Sequence, residues 1–196
     1  MSLFRPTQSL TNLQITMHSR LFLPLTILFL ICLSFSNGTK ILALKEAIDQ
    51  KKVTSKIVGY SGSPHYSQPA KIQVANNTNE KIAVKIVNGQ KLVSDPEGVQ
   101  DLIVVKNEMI VLAAKETKEV ILHAMCIQHN NSGPNKSTSY ELGAIAEGPM
   151  KSLTKEIQKR SDYNTLGQYS IWTISDDEDL STIAGYDEAT ADHYLI

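Results

Sequence analysis

The residues best suited to chemistry lie close together, at His123, Met125, Cys126 and His129. His123, Met125 and His129 share one parity, so an extended backbone points them to the same side. Imidazole and thioether are both copper ligands, and this trio is the one arrangement that resembles a soft metal site. Cys126 has the opposite parity. A thiolate nucleophile needs a base within hydrogen-bond reach, and alternation turns Cys126 away from both histidines. Set in an apolar run, Cys126 reads as a buried residue or a free thiol.

Other chemistries find no motif. The acids Asp176, Asp177, Glu178 and Asp179 are consecutive, whereas a calcium loop spaces its ligands at alternate positions around a glycine. Neither a Gly-x-Ser-x-Gly elbow nor a His-Glu-x-x-His helix occurs. No catalytic residue and no cofactor is predicted.

These residues end a stretch, Ala70 to Gln128, that alternates like a series of short strands. Ile72 and Val74 alternate with Lys71 and Gln73, and Ile82, Val84 and Ile86 alternate with Lys81 and Lys85. Asn88-Gly89 between two such runs predicts a type I′ hairpin. Residues 101–105 are nearly all apolar and predict a strand covered on both faces. Val53 to Tyr60 predicts an earlier strand and Tyr140 to Gly143 a last one. Frequent turns without intervening helices favour an antiparallel sandwich or barrel.

Flanking segments read as helical. Lys40 to Lys52 places Ile41, Leu44 and Ile48 on one face, with Asn37 or Thr39 as cap. Pro149 to Arg160 places Met150, Leu153 and Ile157 together, with Pro149 at the first position. A second helix capped by Asn164 or Thr165 runs to about Ser175. Leu166, Tyr169, Ile171 and Trp172 are its expected buried face, and Trp172 is the expected anchor onto the sheet. The acidic run is expected to start a further short helix.

Upstream, Leu21 to Phe35 is almost wholly apolar, follows His18 and Arg20, and ends in Ser34-Phe35-Ser36. This is the layout of a secretory signal peptide cleaved after Ser36, with Met17 as the expected start. Some 15 apolar residues fall short of the roughly 20 that span a bilayer, so a membrane role is expected only if the signal stays uncleaved. The domain division is therefore 1–36 as extension and signal, and 37–196 as one domain whose helical part occupies about 149–185.

Removing the leader deletes Arg5 and Arg20 and no acid, which moves the net charge from −1 to −3. That balance excludes a nucleic-acid binder built on a basic face. Of two cysteines, Cys32 lies in the leader, so Cys126 has no partner for an internal disulfide. Asn37, Asn76, Asn130 and Asn135 each open an Asn-x-Ser/Thr sequon and are candidate glycosylation sites.

The framework of Asn76-Asn77-Thr78, Gly89, Gln100, Cys126, Gln168 and Trp172 resembles secreted immunoglobulin-like β-sandwich modules with a helical C-terminal tail, over roughly Lys71 to Ser175. That resemblance implies a mainly β fold with helical additions, an antiparallel immunoglobulin-like β-sandwich packed by C-terminal helices. It transfers no catalytic residue. The expected function is an exported, non-enzymatic binding or scaffolding module. Its expected partner is an extracellular protein or glycan, met through the loops Gly59 to Pro69 and Asn130 to Ser137. The competing expectations are a secreted enzyme with a site between sandwich and helices, using His123, His129, Tyr169 and nearby acids, and a redox or copper-handling protein.

Overall fold

The computed structural model describes residues 39–60 and 68–179. The predicted signal, Asn37, most of the Gly59 to Pro69 loop and everything after Asp179 lie outside the described residues. The chain runs β1 (Ile41–Ala43), α1 (Leu44–Asp49), β2 (Val53–Gly59), β3 (Ala70–Asn76), β4 (Ile82–Ile86), β5 (Gln90–Ser94) and β6 (Leu102–Val104). It continues with β7 (Glu108–Leu112), β8 (Thr117–Leu122), β9 (Ala124–Cys126), β10 (Ser139–Ile145), α2 (Gly148–Arg160) and α3 (Thr165–Asp176). The fold is mainly β, with two sheets and a few helices.

The small sheet has the order β1-β4-β7, with β1 parallel to β4 and β7 antiparallel to it. The large sheet has the order β8-β3-β2-β10-β5-β6-β9 and curls into a half-barrel. One extended segment supplies both of its edges. Residues 117–122 pair with β3, and after the single residue His123, residues 124–126 pair with β6. The His123 carbonyl accepts from Val105 N at 2.9 Å, which holds this corner against β6.

Alternation decides what each strand buries. Leu42, Ile82, Val84, Ile86, Ile110 and Leu112 from the small sheet meet Ile57, Ile72, Val74, Leu92, Leu102 and Leu122 in one core. A second core joins Ile103, Val105 and Met125 to Leu153, Ile157 and Ile171 of the helices. β6 is thus buried on both faces, as its unbroken apolar run predicts. Each such side chain contributes about 1.5–3 kcal/mol when taken out of water.

Two predicted elements differ. Asn88-Gly89 does form a turn, with Gln90 N donating to Val87 O at 3.2 Å. The strands it joins, β4 and β5, belong to different sheets, so it is no hairpin. Only Gly89 has positive φ, at 85°, which is the requirement of a type II turn rather than type I′. The sheets diverge here because Asn88 is held by the helical layer. Its Nδ2 donates to Val105 O at 2.7 Å, Thr154 O at 2.8 Å and Gln158 Oε1 at 3.1 Å.

The predicted helix from Lys40 to Lys52 shrinks to the six residues of α1. Ile41 to Ala43 instead extend along β4, because that pairing buries Leu42 and completes the small sheet. The helix starts at Ala43 with no side-chain cap.

The C-terminal helices form as their pattern predicts, within two residues of the predicted limits. Asn164 caps α3, its Oδ1 accepting from Gly167 N at 3.1 Å. The buried face of α3 is rotated from the expected one. Gly167, Gln168, Ser170, Ile171 and Trp172 are buried, while Leu166 and Tyr169 are half-buried. A side chain at Gly167 would sit 2.2 Å from Asp162 O and 2.7 Å from Met125 Cε. The glycine lets α3 come down on β9, and Trp172 reaches the first core as an anchor. The acidic run ends α3 and does not open another helix: Asp176 is its last residue, and Asp177, with φ 55°, is its cap. Acids are unfavourable at a helix C-terminus, and His129 answers them, its N donating to Asp176 Oδ2 at 3.4 Å and its Nδ1 lying 3.0 Å from Glu178 Oε1.

Candidate binding cleft

The histidines and the thiol part company in three dimensions. His123 sits at the strand corner, half-buried, with Nδ1 3.2 Å from Glu108 Oε1 and its ring centroid 4.8 Å from that of Tyr163. Burial and Glu108 push the Tyr163 phenol upward. Met125 shares the helix-facing side with His123, as parity predicts, but is fully enclosed among apolar neighbours in the second core. His129 lies beyond the end of β9, its ring 4.5 Å from that of Trp172. Among the described residues, no three His, Cys, Asp or Glu side chains gather to hold a metal ion.

Cys126 is fully buried in the first core, and burial pushes its thiol up to about 12. A thiolate is therefore disfavoured across the physiological range. Its backbone has an unforeseen partner. The Gln168 amide accepts from Cys126 N at 2.9 Å and donates to Cys126 O at 2.7 Å. α3 thus lends the edge strand β9 the two bonds that a further strand would give it.

Between the sheets and α2 and α3, the contact is made by Ile103, Val105, Met125, Ala146, Leu153, Ile157 and Ile171. A hollow of about 400 Å³ opens at its rim beside Lys91, Gln128 and Asp176. Of the groups named for the competing enzyme expectation, Asp176 is the one on its wall. His123 and His129, each paired with a glutamate, do not converge there.

Of the first predicted contact loop only its ends are described, and they lie beside the end of the second. Gly59 N donates to Thr138 O at 2.8 Å, and Tyr60 N to Pro69 O at 2.8 Å. The 130–137 segment is tied down: Ser132 N donates to Gly98 O at 2.8 Å and Gln100 N to Ser132 O at 2.9 Å.

Among the predicted sequons, Asn130 and Asn135 are exposed. Asn76 is not: it is 3% exposed, its Nδ2 donates to Glu80 O and Ala113 O at 2.7 Å each, and its Oδ1 accepts from Thr78 N and Oγ1. Both Nδ2 hydrogens are engaged, so a glycan there is incompatible with this fold. Asn76 is a turn-closing residue.

Among the described residues, one concavity was not indicated by any motif. It lies at the opposite end of β10 from the loops and measures about 610 Å³, within the roughly 300–1,000 Å³ usual for small-ligand pockets. Three junctions build it. The β1–α1 corner brings Ala43, Leu44 and Lys45, the end of β4 brings Lys85, Ile86 and Val87, and β10 with its exit brings Leu142 to Ile145 and Glu147.

Its cause is an irregularity in β10. Leu142 faces Leu92 and Ile145 faces Gln90, so β10 spends one extra residue between them. Such a bulge bends a strand and loosens its pairing. The Gln90 side chain mends part of the break, its Nε2 donating to Gly143 O at 2.7 Å. On its other side β10 pairs with β2 at Ser139↔Val58 and Tyr140↔Ile57. Beyond these pairs a second hollow of about 280 Å³ adjoins the first, lined by Ile48, Asp49, Ser55, Ile57, Tyr140 and Glu141, and shares Lys45 and Leu142 with it. Together they make a groove along β10, with Ile145, 51% exposed, on its lip.

Sequence reasoning missed this groove because it is made of residues from four distant segments. The alternation of β4 marks Lys85 as an outward residue, and nothing local connects it to Leu142. In comparisons with protein-family models, curated proteins and solved structures, no match to the chain was found.

Proposed function

We propose that the chain is an exported, non-enzymatic binding module and that the groove along β10 is its binding site. The observation that carries this reading is the 610 Å³ apolar hollow opened by the β10 bulge, with an isoleucine left half in water on its lip. Exposed apolar surface around a concavity is costly to maintain and marks interaction sites. The apolar contact beneath the helices and the buried, poorly ionised Cys126 support binding over catalysis. The leader pattern supports export, with an extracellular partner.

The test has two arms. N-terminal sequencing of protein released by the producing cell is expected to begin at Asn37; a chain retained in the cell with its leader intact would reject export. For the groove, the neutral dye Nile red is titrated against the purified protein. Binding is expected to brighten the dye, and both Ile145→Glu and Ala144→Trp, at exposed positions, should remove the response. Equal brightening in both variants would place dye binding elsewhere and reject the groove.

A further inference from the structure

We infer that the groove takes a single-chain amphiphile with an anionic head, of the fatty-acid class, an inference that rests on the binding reading above. Three features of the site converge on that chemistry. The first is shape. The larger hollow, about 610 Å³, runs beside the bulged end of β10 from Leu142 to Ile145, and the smaller one adjoins it at Lys45 and Leu142, with Asp49 and Glu141 keeping that far end polar.

The second is lining. Leu44, Ile86, Val87, Leu142 and Ile145 dominate the larger hollow, and the small Ala43 and Ala144 leave room between them. Such a wall offers dispersion contact and few hydrogen bonds, which suits methylene groups worth about 0.8 kcal/mol each on burial.

The third is charge. Two lysines and one glutamate line this hollow. Lys45 is matched by Asp49 at 3.2 Å, both well exposed. Glu147 is exposed on the rim and free to remain hydrated. Lys85 is half-buried and, among the described residues, has no carboxylate partner. Register places it between Ala43 and Met109, so its neighbours across the small sheet are apolar. A half-buried ammonium with apolar neighbours interacts with a visiting anion more strongly than one in open water. A carboxylate head at Lys85 with its tail along Leu142 satisfies both the cation and the groove.

The experiment is displacement of Nile red from the purified protein by three probes of equal chain length, kept below their micelle concentrations: dodecanoate, dodecanol and dodecyltrimethylammonium. Dodecanoate is expected to displace the dye at concentrations about tenfold lower than dodecanol, the scale of one charge-assisted hydrogen bond. The cationic probe should be the weakest. Lys85→Gln should erase the gap between dodecanoate and dodecanol. Equal potency of dodecanoate and dodecanol, or a gap that survives Lys85→Gln, overturns the anionic-head assignment and leaves the apolar groove standing. Failure of all three probes to displace a bound dye overturns the acyl-chain assignment. Failure of the dye itself to bind overturns the groove.

Discussion

Replacing Gln168 by leucine removes two hydrogen bonds while nearly conserving volume. The wild-type amide is 1% exposed and meets both the N–H and the C=O of Cys126. Leucine leaves each of those buried groups without this partner, at about 1–3 kcal/mol apiece. The expected loss is therefore about 2–6 kcal/mol, against a total of about 5–15 kcal/mol for an ordinary domain. Urea unfolding followed by circular dichroism should show a lower midpoint at unchanged slope. Gln168→Glu adds a pH signature. The ionised carboxylate can accept from Cys126 N but opposes Cys126 O, so the folded state raises its pKa. A raised carboxyl pKa confers stability that is fully present below the unfolded value of about 4.3 and lost as pH rises. This variant should be weakened at pH 7 and recover relative to wild type toward pH 4. A loss below about 1 kcal/mol for Gln168→Leu would show that β9 does not depend on the helix for its outer bonds.

The Cys126 thiol, pushed up to about 12 by burial, should resist a maleimide or disulfide reagent in native protein at pH 8 and react once urea is added; native labelling at the rate of a free thiol would refute its enclosure. The same shift makes stability full below about pH 9, the unfolded range, and lost as pH rises toward 12. Cys126→Ala should flatten that alkaline slope without removing it, because burial also pushes the Tyr140 phenol upward. Gly167→Ala drives a methyl to 2.2 Å from Asp162 O and 2.7 Å from Met125 Cε, so a melting temperature several degrees lower is expected, corresponding to about 1–3 kcal/mol of overpacking. In a glycosylating host, peptide mapping of folded protein should find Asn76 unmodified, and Asn76→Ala should destabilise by about 2–4 kcal/mol through its lost carbonyl and turn bonds.

The sequence alone determined most of the strands, the two C-terminal helices and much of what they bury. Period-2 alternation is a local property, and a strand that alternates beside a core has no choice of face. That is why Ile82, Val84 and Ile86 point inward, why β6 is covered twice, and why Met125 and Cys126 enter different cores. Capping and periodicity are equally local, and they located Asn164 and the Met150, Leu153, Ile157 stripe.

Tertiary structure decided which strands pair. Asn88-Gly89 has the chemistry of a hairpin, yet three acceptors, two of them on α2, hold Asn88 and send β4 and β5 to different sheets. Ile41 to Ala43 carry a helical pattern, yet the edge of β4 claims them. Asn76 looks like an exposed acceptor until Ala113, distant in sequence, closes over it. The groove is the extreme case. Its residues come from segments as far apart as Ala43 and Glu147, and it exists because β10 carries one residue more than its partner needs. Registers between remote strands are set by the packing of the whole core, and no short window of sequence contains that information.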